Sequence, residues 1–122
     1  MLRFFSLVVA LVLSIPAVAM ADCSDPQTQS EMNYCAAQDL EVADTKLNEV
    51  YKRAMSAQDR KGKRAMQKAQ RAWINYRDLA CQSYSLMADG GSMQPMLASL
   101  CLPKLTDERS KMLEEQVYGQ DQ

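Results

Sequence analysis

The sequence predicts an all-α fold: a long antiparallel helical hairpin with a shorter, proline-kinked third helix packed on it, closed by two disulfides. Three observations carry that expectation. Apolar residues recur at spacings of three to five over three long stretches, which is the period of amphipathic helices. β-branched residues are scarce after residue 21, and no segment alternates for more than a few positions. The four cysteines, Cys23, Cys35, Cys81 and Cys101, all follow a segment that reads as an export signal.

That segment is residues 1–21. Arg3 precedes a mostly apolar run from Phe4 to Leu13, and Ala19-Met20-Ala21 forms a small-residue cleavage site before Asp22. The charge-free run is long enough to be weighed as a membrane anchor, but Pro16 and the small residues favour cleavage. A lipid anchor needs a small residue directly before its cysteine, and Asp22 stands before Cys23. The expected product is therefore a soluble, non-lipidated periplasmic or secreted protein of residues 22–122, one domain in length. No second long apolar run occurs, so no integral membrane segment is expected after cleavage.

The first helix is expected at about Gln29 to Ala57. Thr28 and Glu31 have the form of a capping box, and Met32, Cys35, Leu40, Ala43, Leu47, Val50 and Ala54 supply the apolar stripe. At roughly 1.5 Å per residue such a helix is about 40 Å long. Asp59 is the expected cap of the second helix, whose stripe is Ala65, Met66, Ala69, Trp73, Tyr76, Ala80 and Tyr84. The segment Ala88-Asp89-Gly90-Gly91-Ser92 ends it. Ser92 is the expected cap of the third helix, with Pro95 in the first turn. Met96, Leu97, Leu100, Leu105, Met112, Leu113 and Val117 form its apolar side, and Pro103 should kink or break it. The methionines, nine in the whole chain, are expected as gap-fillers in a narrow core.

Charge is unevenly placed. Residues 22–51 carry seven acids and one base, and residues 72–122 carry seven acids and four bases. Between them, residues 52–71 carry eight bases and one acid, Asp59. A hairpin puts that basic block at its turn and the acids toward the other end. The simplest account of the tip is a solvated turn; its functional counterpart is an anionic-surface contact through Lys61, Lys63 and Arg64. A net charge of −2 on the mature part gives no reason to expect nucleic acid as a partner.

Enzyme chemistry finds little to work with. There is no histidine, the cysteines are expected in disulfides, and the carboxylates are scattered. Cysteine spacings of 12, 46 and 20 do not suit a zinc site, so neither a metal nor another cofactor is expected, and no catalytic residue is assigned. The densest stretch, Ala69 to Asp78, holds Trp73, Tyr76, Arg71 and Arg77. Folding the hairpin about residue 59 or 60 brings Asp44 and Asn48 beside residues 70–77, so Asp44 should pair with Arg71 or Arg77. Such an ion pair sets register rather than performing chemistry.

The ordered motifs carry a resemblance. Glu31-Met32-Asn33 and Cys35 are followed by Ala43-Asp44, Leu47-Asn48 and Tyr51. Ala69-Gln70-Arg71-Ala72-Trp73-Ile74, Tyr76-Arg77-Asp78 and Cys81 come next, then Gly90-Gly91-Ser92, Cys101, Leu105-Thr106 and Arg109. From Cys23 to about Leu113 the chain resembles the lysozyme-inhibitor LprI-like family. The resemblance implies a small helical bacterial envelope domain with two disulfides, and a partner in lysozyme or another muramidase. It carries over no catalytic or contact residues. The family is named for a lipid-anchored member, and this chain departs from it in lacking a lipidation site.

Short loops are entropically easiest to close, which favours Cys23–Cys35 and Cys81–Cys101. Hairpin geometry leaves Cys35–Cys81 with Cys23–Cys101 as the alternative. Animal lysozymes are typically basic, so the acidic residues Asp22, Asp25, Glu31, Asp39 and Glu41 are the candidate partner surface. The alternative function is an envelope stress or interaction module that uses the basic tip on anionic lipid or cell-wall polymer.

Overall fold

A computed structural model describes residues 22–119; the expected signal peptide lies outside the described residues. Three long helices follow one another: α1 (Gln29–Ser56), α2 (Arg60–Ser85) and α3 (Gln94–Tyr118). No strand occurs among the described residues.

The helix starts follow local chemistry. Thr28 Oγ1 accepts from the Glu31 amide at 3.1 Å, and Glu31 Oε2 accepts from the Thr28 and Gln27 amides at 3.0 and 2.7 Å. Three backbone donors that the helix cannot satisfy thus find acceptors. At α2, Asp59 Oδ1 accepts from the Gly62 amide at 2.7 Å. Past α2 a single 3-10 turn, Leu86–Ala88, leads into Gly90, whose φ of 72° suits a residue without Cβ.

Ser92 does not cap α3. The helix begins at Gln94 with Met93 at the cap position and no side-chain cap. Capping by Ser92 would draw on the amides of residues 94 and 95. The Gln94 amide already donates to the Gly91 carbonyl at 3.2 Å, and Pro95 has none. Pro103 sits inside α3, which continues on both sides of it. The proline withholds one amide from the Ser99 carbonyl without ending the helix. With 25 residues, α3 is only slightly shorter than α1 and α2, which have 28 and 26.

α1 and α2 make the antiparallel hairpin but touch each other sparingly; both pack mainly on α3. Cross-links fix the directions. Cys81, Arg77 and Gln70 of α2 meet Cys101, Thr106 and Arg109 of α3 in that order, so these helices are antiparallel. α3 is therefore parallel to α1 and seated between the arms of the hairpin.

α1 turns Cys35, Ala43, Leu47, Val50 and Ala54 inward, as its periodicity predicts, and buries Ala36 as well, while Met32 and Leu40 of the expected stripe are only half-buried. Leu47, Val50 and Leu113 form the apolar centre, with Tyr51 and Trp73 packed against it. On α3, Thr106 and Ser110 are fully buried at 0% exposure. Their hydroxyls return to the helix, to the Leu102 carbonyl at 2.8 Å and the Thr106 carbonyl at 3.2 Å. Small, internally satisfied side chains let α3 lie close between its neighbours.

Two expected stripes are displaced. On α2 the buried residues are Gln70, Cys81 and Ser85, whereas Tyr76 is 61% exposed and Tyr84 also faces out. On α3, Leu100 and Met112 are exposed. The central helix is covered from two sides, so its inward face is set by close approach and polar pairing as much as by hydropathy. The methionines do not fill the core: among the described residues only Met96 is buried.

Candidate functional site

The polar groups between the helices form one seam. Arg77 Nη1 donates to Asp44 Oδ1 at 3.2 Å and to Thr106 Oγ1 at 3.3 Å, and Arg77 Nε donates to Asp78 Oδ1 at 3.0 Å. The expected pairing of Asp44 with an α2 arginine is thus made by Arg77, joining all three helices. Arg71, Asn48 and Tyr76 lie exposed outside it. The reason is angular: on a helix, positions 70, 73, 77 and 81 share a face, and 71 and 76 flank it.

One turn along, Arg109 Nε donates to Gln70 Oε1 at 3.0 Å and Arg109 Nη1 to Met112 Sδ at 3.2 Å. Trp73 lies between the two arginine levels, its ring centre 5.4 Å from Arg77 Cζ and 5.9 Å from Arg109 Cζ. Burial pushes the Arg109 guanidinium below its ordinary pKa, and the neighbouring Tyr51 works in the opposite direction. Reasoning from sequence assigned no role to Gln70, Thr106 or Arg109. The signal was present in the 70-73-77-81 spacing, but hydropathy gives polar residues no reason to point inward.

The disulfides are Cys23–Cys35 and Cys81–Cys101, with Cα separations of 5.5 and 5.4 Å, and no cysteine among the described residues is free. The first ties the N-terminal segment to α1; the second ties α2 to α3 across the Gly90 turn.

Asp22 and Asp25 before α1, and Asp39 and Glu41 in its first half, are exposed. Glu31 is half-buried and its carboxylate is committed to the capping box. The Ser24 hydroxyl and amide donate to Asp22 Oδ1 at 2.7 and 3.0 Å, holding that carboxyl below its usual pKa. At the other end, Lys61, Lys63 and Arg64 are exposed around the α1–α2 turn. That tip is not purely basic. Because α3 runs parallel to α1, it brings Glu114 to within 4.0 Å of Lys46 and 3.9 Å of Arg53.

Fold and seam together define a class: a small, disulfide-stapled three-helix domain whose buried side-chain polar atoms, among the described residues, all have partners. No cluster of potential metal ligands occurs among them, and no helix is long and apolar enough to cross a membrane. The chain belongs to the lysozyme inhibitor LprI family, whose family model matches residues 19–113. It is also similar to the uncharacterized protein R02472 of Rhizobium meliloti (strain 1021), at 42% identity over 107 residues covering 77% of each chain. No solved structure matches the chain significantly.

Proposed function

We propose that the mature protein, cleaved before Asp22, acts outside the cytoplasm as a soluble, non-catalytic inhibitor of lysozyme-type muramidases. Membership of the lysozyme inhibitor LprI family is the observation that carries this reading. Two disulfides suit an oxidising compartment. A sequence with no histidine, and with its cysteines bonded to one another, favours binding over chemistry.

The proposed contact surface is the acidic end, through Asp22, Asp25, Asp39 and Glu41. An exposed group of carboxylates attracts a basic enzyme over a distance comparable to the Debye length, about 10 Å at 0.1 M salt. Asp22 adds to this field at lower pH than an ordinary aspartate, because Ser24 stabilises its ionised form.

Lysozyme turnover on cell walls tests the proposal. A molar excess of residues 22–122 should suppress turnover at low salt and lose that effect as salt rises. Unchanged turnover at low salt would refute inhibition of the enzyme tested.

A further inference from the structure

Arg77 and Arg109 flank the same tryptophan in opposite electrostatic circumstances. Arg77 faces two carboxylates, Asp44 and Asp78. Arg109 is only 8% exposed, yet it makes no ion pair among the described residues; its partners are the Gln70 amide, the Met112 sulfur and the Trp73 ring. A buried cation held only by neutral groups is costly to keep.

The guanidinium also has an opening. Nε and Nη1 are engaged, but Nη2 makes no hydrogen bond among the described residues. No side-chain polar atom there is both sealed off and unpartnered, so Nη2 keeps contact with solvent. Arg109 also lines a groove of about 410 Å³ near the α1–α2 turn, between the first half of α2 and the last half of α3. Gly62, Ala65, Met66 and Ala69 make one apolar wall, Gln58 and Gln116 stand as amides, and Arg109 supplies the charge.

We propose that this groove is a binding site for a carboxylate on a short aliphatic body, either a free acid or the C-terminal end of a peptide. One guanidinium matches one carboxylate in charge, and its open Nη2 can donate a charge-assisted hydrogen bond to it. The small side chains of Ala65 and Ala69 leave room for a chain of methyl-sized groups, and the amides of Gln58, which packs over Gly62, and Gln116 can hydrogen-bond a peptide unit. A dianionic phosphate would find only one cation lining the groove. The site lies at the opposite end of the molecule from the acidic surface, so it is a function additional to muramidase binding.

Titration of the full mature protein with N-acetyl-Ala-Ala, its C-terminal amide and butyrate tests the site, followed by the Trp73 indole N–H resonance. The free-acid dipeptide should bind saturably and the amide should not. Saturation by butyrate as well assigns a simple carboxylate site; saturation by the dipeptide alone assigns a peptide terminus. Arg109→Met removes the charge at similar volume. Ala69→Glu builds a carboxylate into the wall and leaves Arg109 in place, so it serves even if Arg109→Met does not fold. Each folded variant should raise Kd at least about tenfold, roughly 1.4 kcal/mol. No saturable shift with either acid, equal binding of the amide, or wild-type affinity in a folded variant would overturn the proposal.

Discussion

Arg109 on α3 donates from Nε to Gln70 Oε1 on α2 at 3.0 Å, and this bond joins two polar side chains at a buried helix contact. Removing only the acceptor leaves a charged donor without a partner. Gln70→Leu should therefore cost about 1.5–3 kcal/mol. The double variant Gln70→Leu/Arg109→Met should recover part of that loss, since an apolar pair leaves nothing unsatisfied. Thermal unfolding reads both, at about 4–8 °C per kcal/mol for a domain of this size. A double variant less stable than Gln70→Leu would contradict the account.

The Asp44–Arg77 pair should be asymmetric. Asp44 is well hydrated, its side chain 45% exposed, so Asp44→Asn should cost no more than about 1 kcal/mol. Arg77 also holds Asp78 and Thr106 and lies against Trp73, so Arg77→Ala should cost about 2 kcal/mol or more. Urea unfolding of the two variants gives the ranking, and equal losses would show that Arg77 acts through Asp44 alone.

Ser110 tests how closely α3 lies between its neighbours. Its hydroxyl bonds only to its own helix, so Ser110→Ala should shift stability by less than about 1 kcal/mol. Ser110→Leu must force extra volume into a fully buried position and should cost about 1–3 kcal/mol or more. If both substitutions are neutral by urea unfolding, the contact is looser than described.

Peptide mapping of the unreduced protein should yield Cys23–Cys35 and Cys81–Cys101 fragments and none joining Cys35 to Cys81. Replacing Cys81 and Cys101 by alanine opens a 20-residue loop and should lower stability by about 3 kcal/mol in the chain-entropy account. A loss below about 1 kcal/mol would show that helix packing alone holds α3 to α2.

Much of this fold was legible because its local signals agree with one another. The Thr28–Glu31 box, the Asp59 cap and the stripe from Cys35 to Ala54 each state where a helix starts or which side it buries. The faces of α2 and α3 were less legible, because an inward Gln70, Thr106 or Arg109 is decided by a partner on another helix. Tyr76 shows the converse: an aromatic residue at helical spacing that the three-helix arrangement leaves outside. The Asp44–Arg77 pair was within reach because folding the hairpin brings the two segments together. Its neighbour Arg109 was not, because its position depends on how α3 seats between both arms.

The proposed contact surface is tested most directly by the affinity of a basic lysozyme for two charge-reversed forms of the mature protein. Asp25→Lys/Asp39→Lys/Glu41→Lys alters the acidic end, and Lys61→Glu/Lys63→Glu/Arg64→Glu alters the tip. The account predicts that the first raises Kd by at least about tenfold at low salt, while the second leaves binding intact or strengthens it. Unchanged binding by the first form, or loss of binding confined to the second, would contradict it.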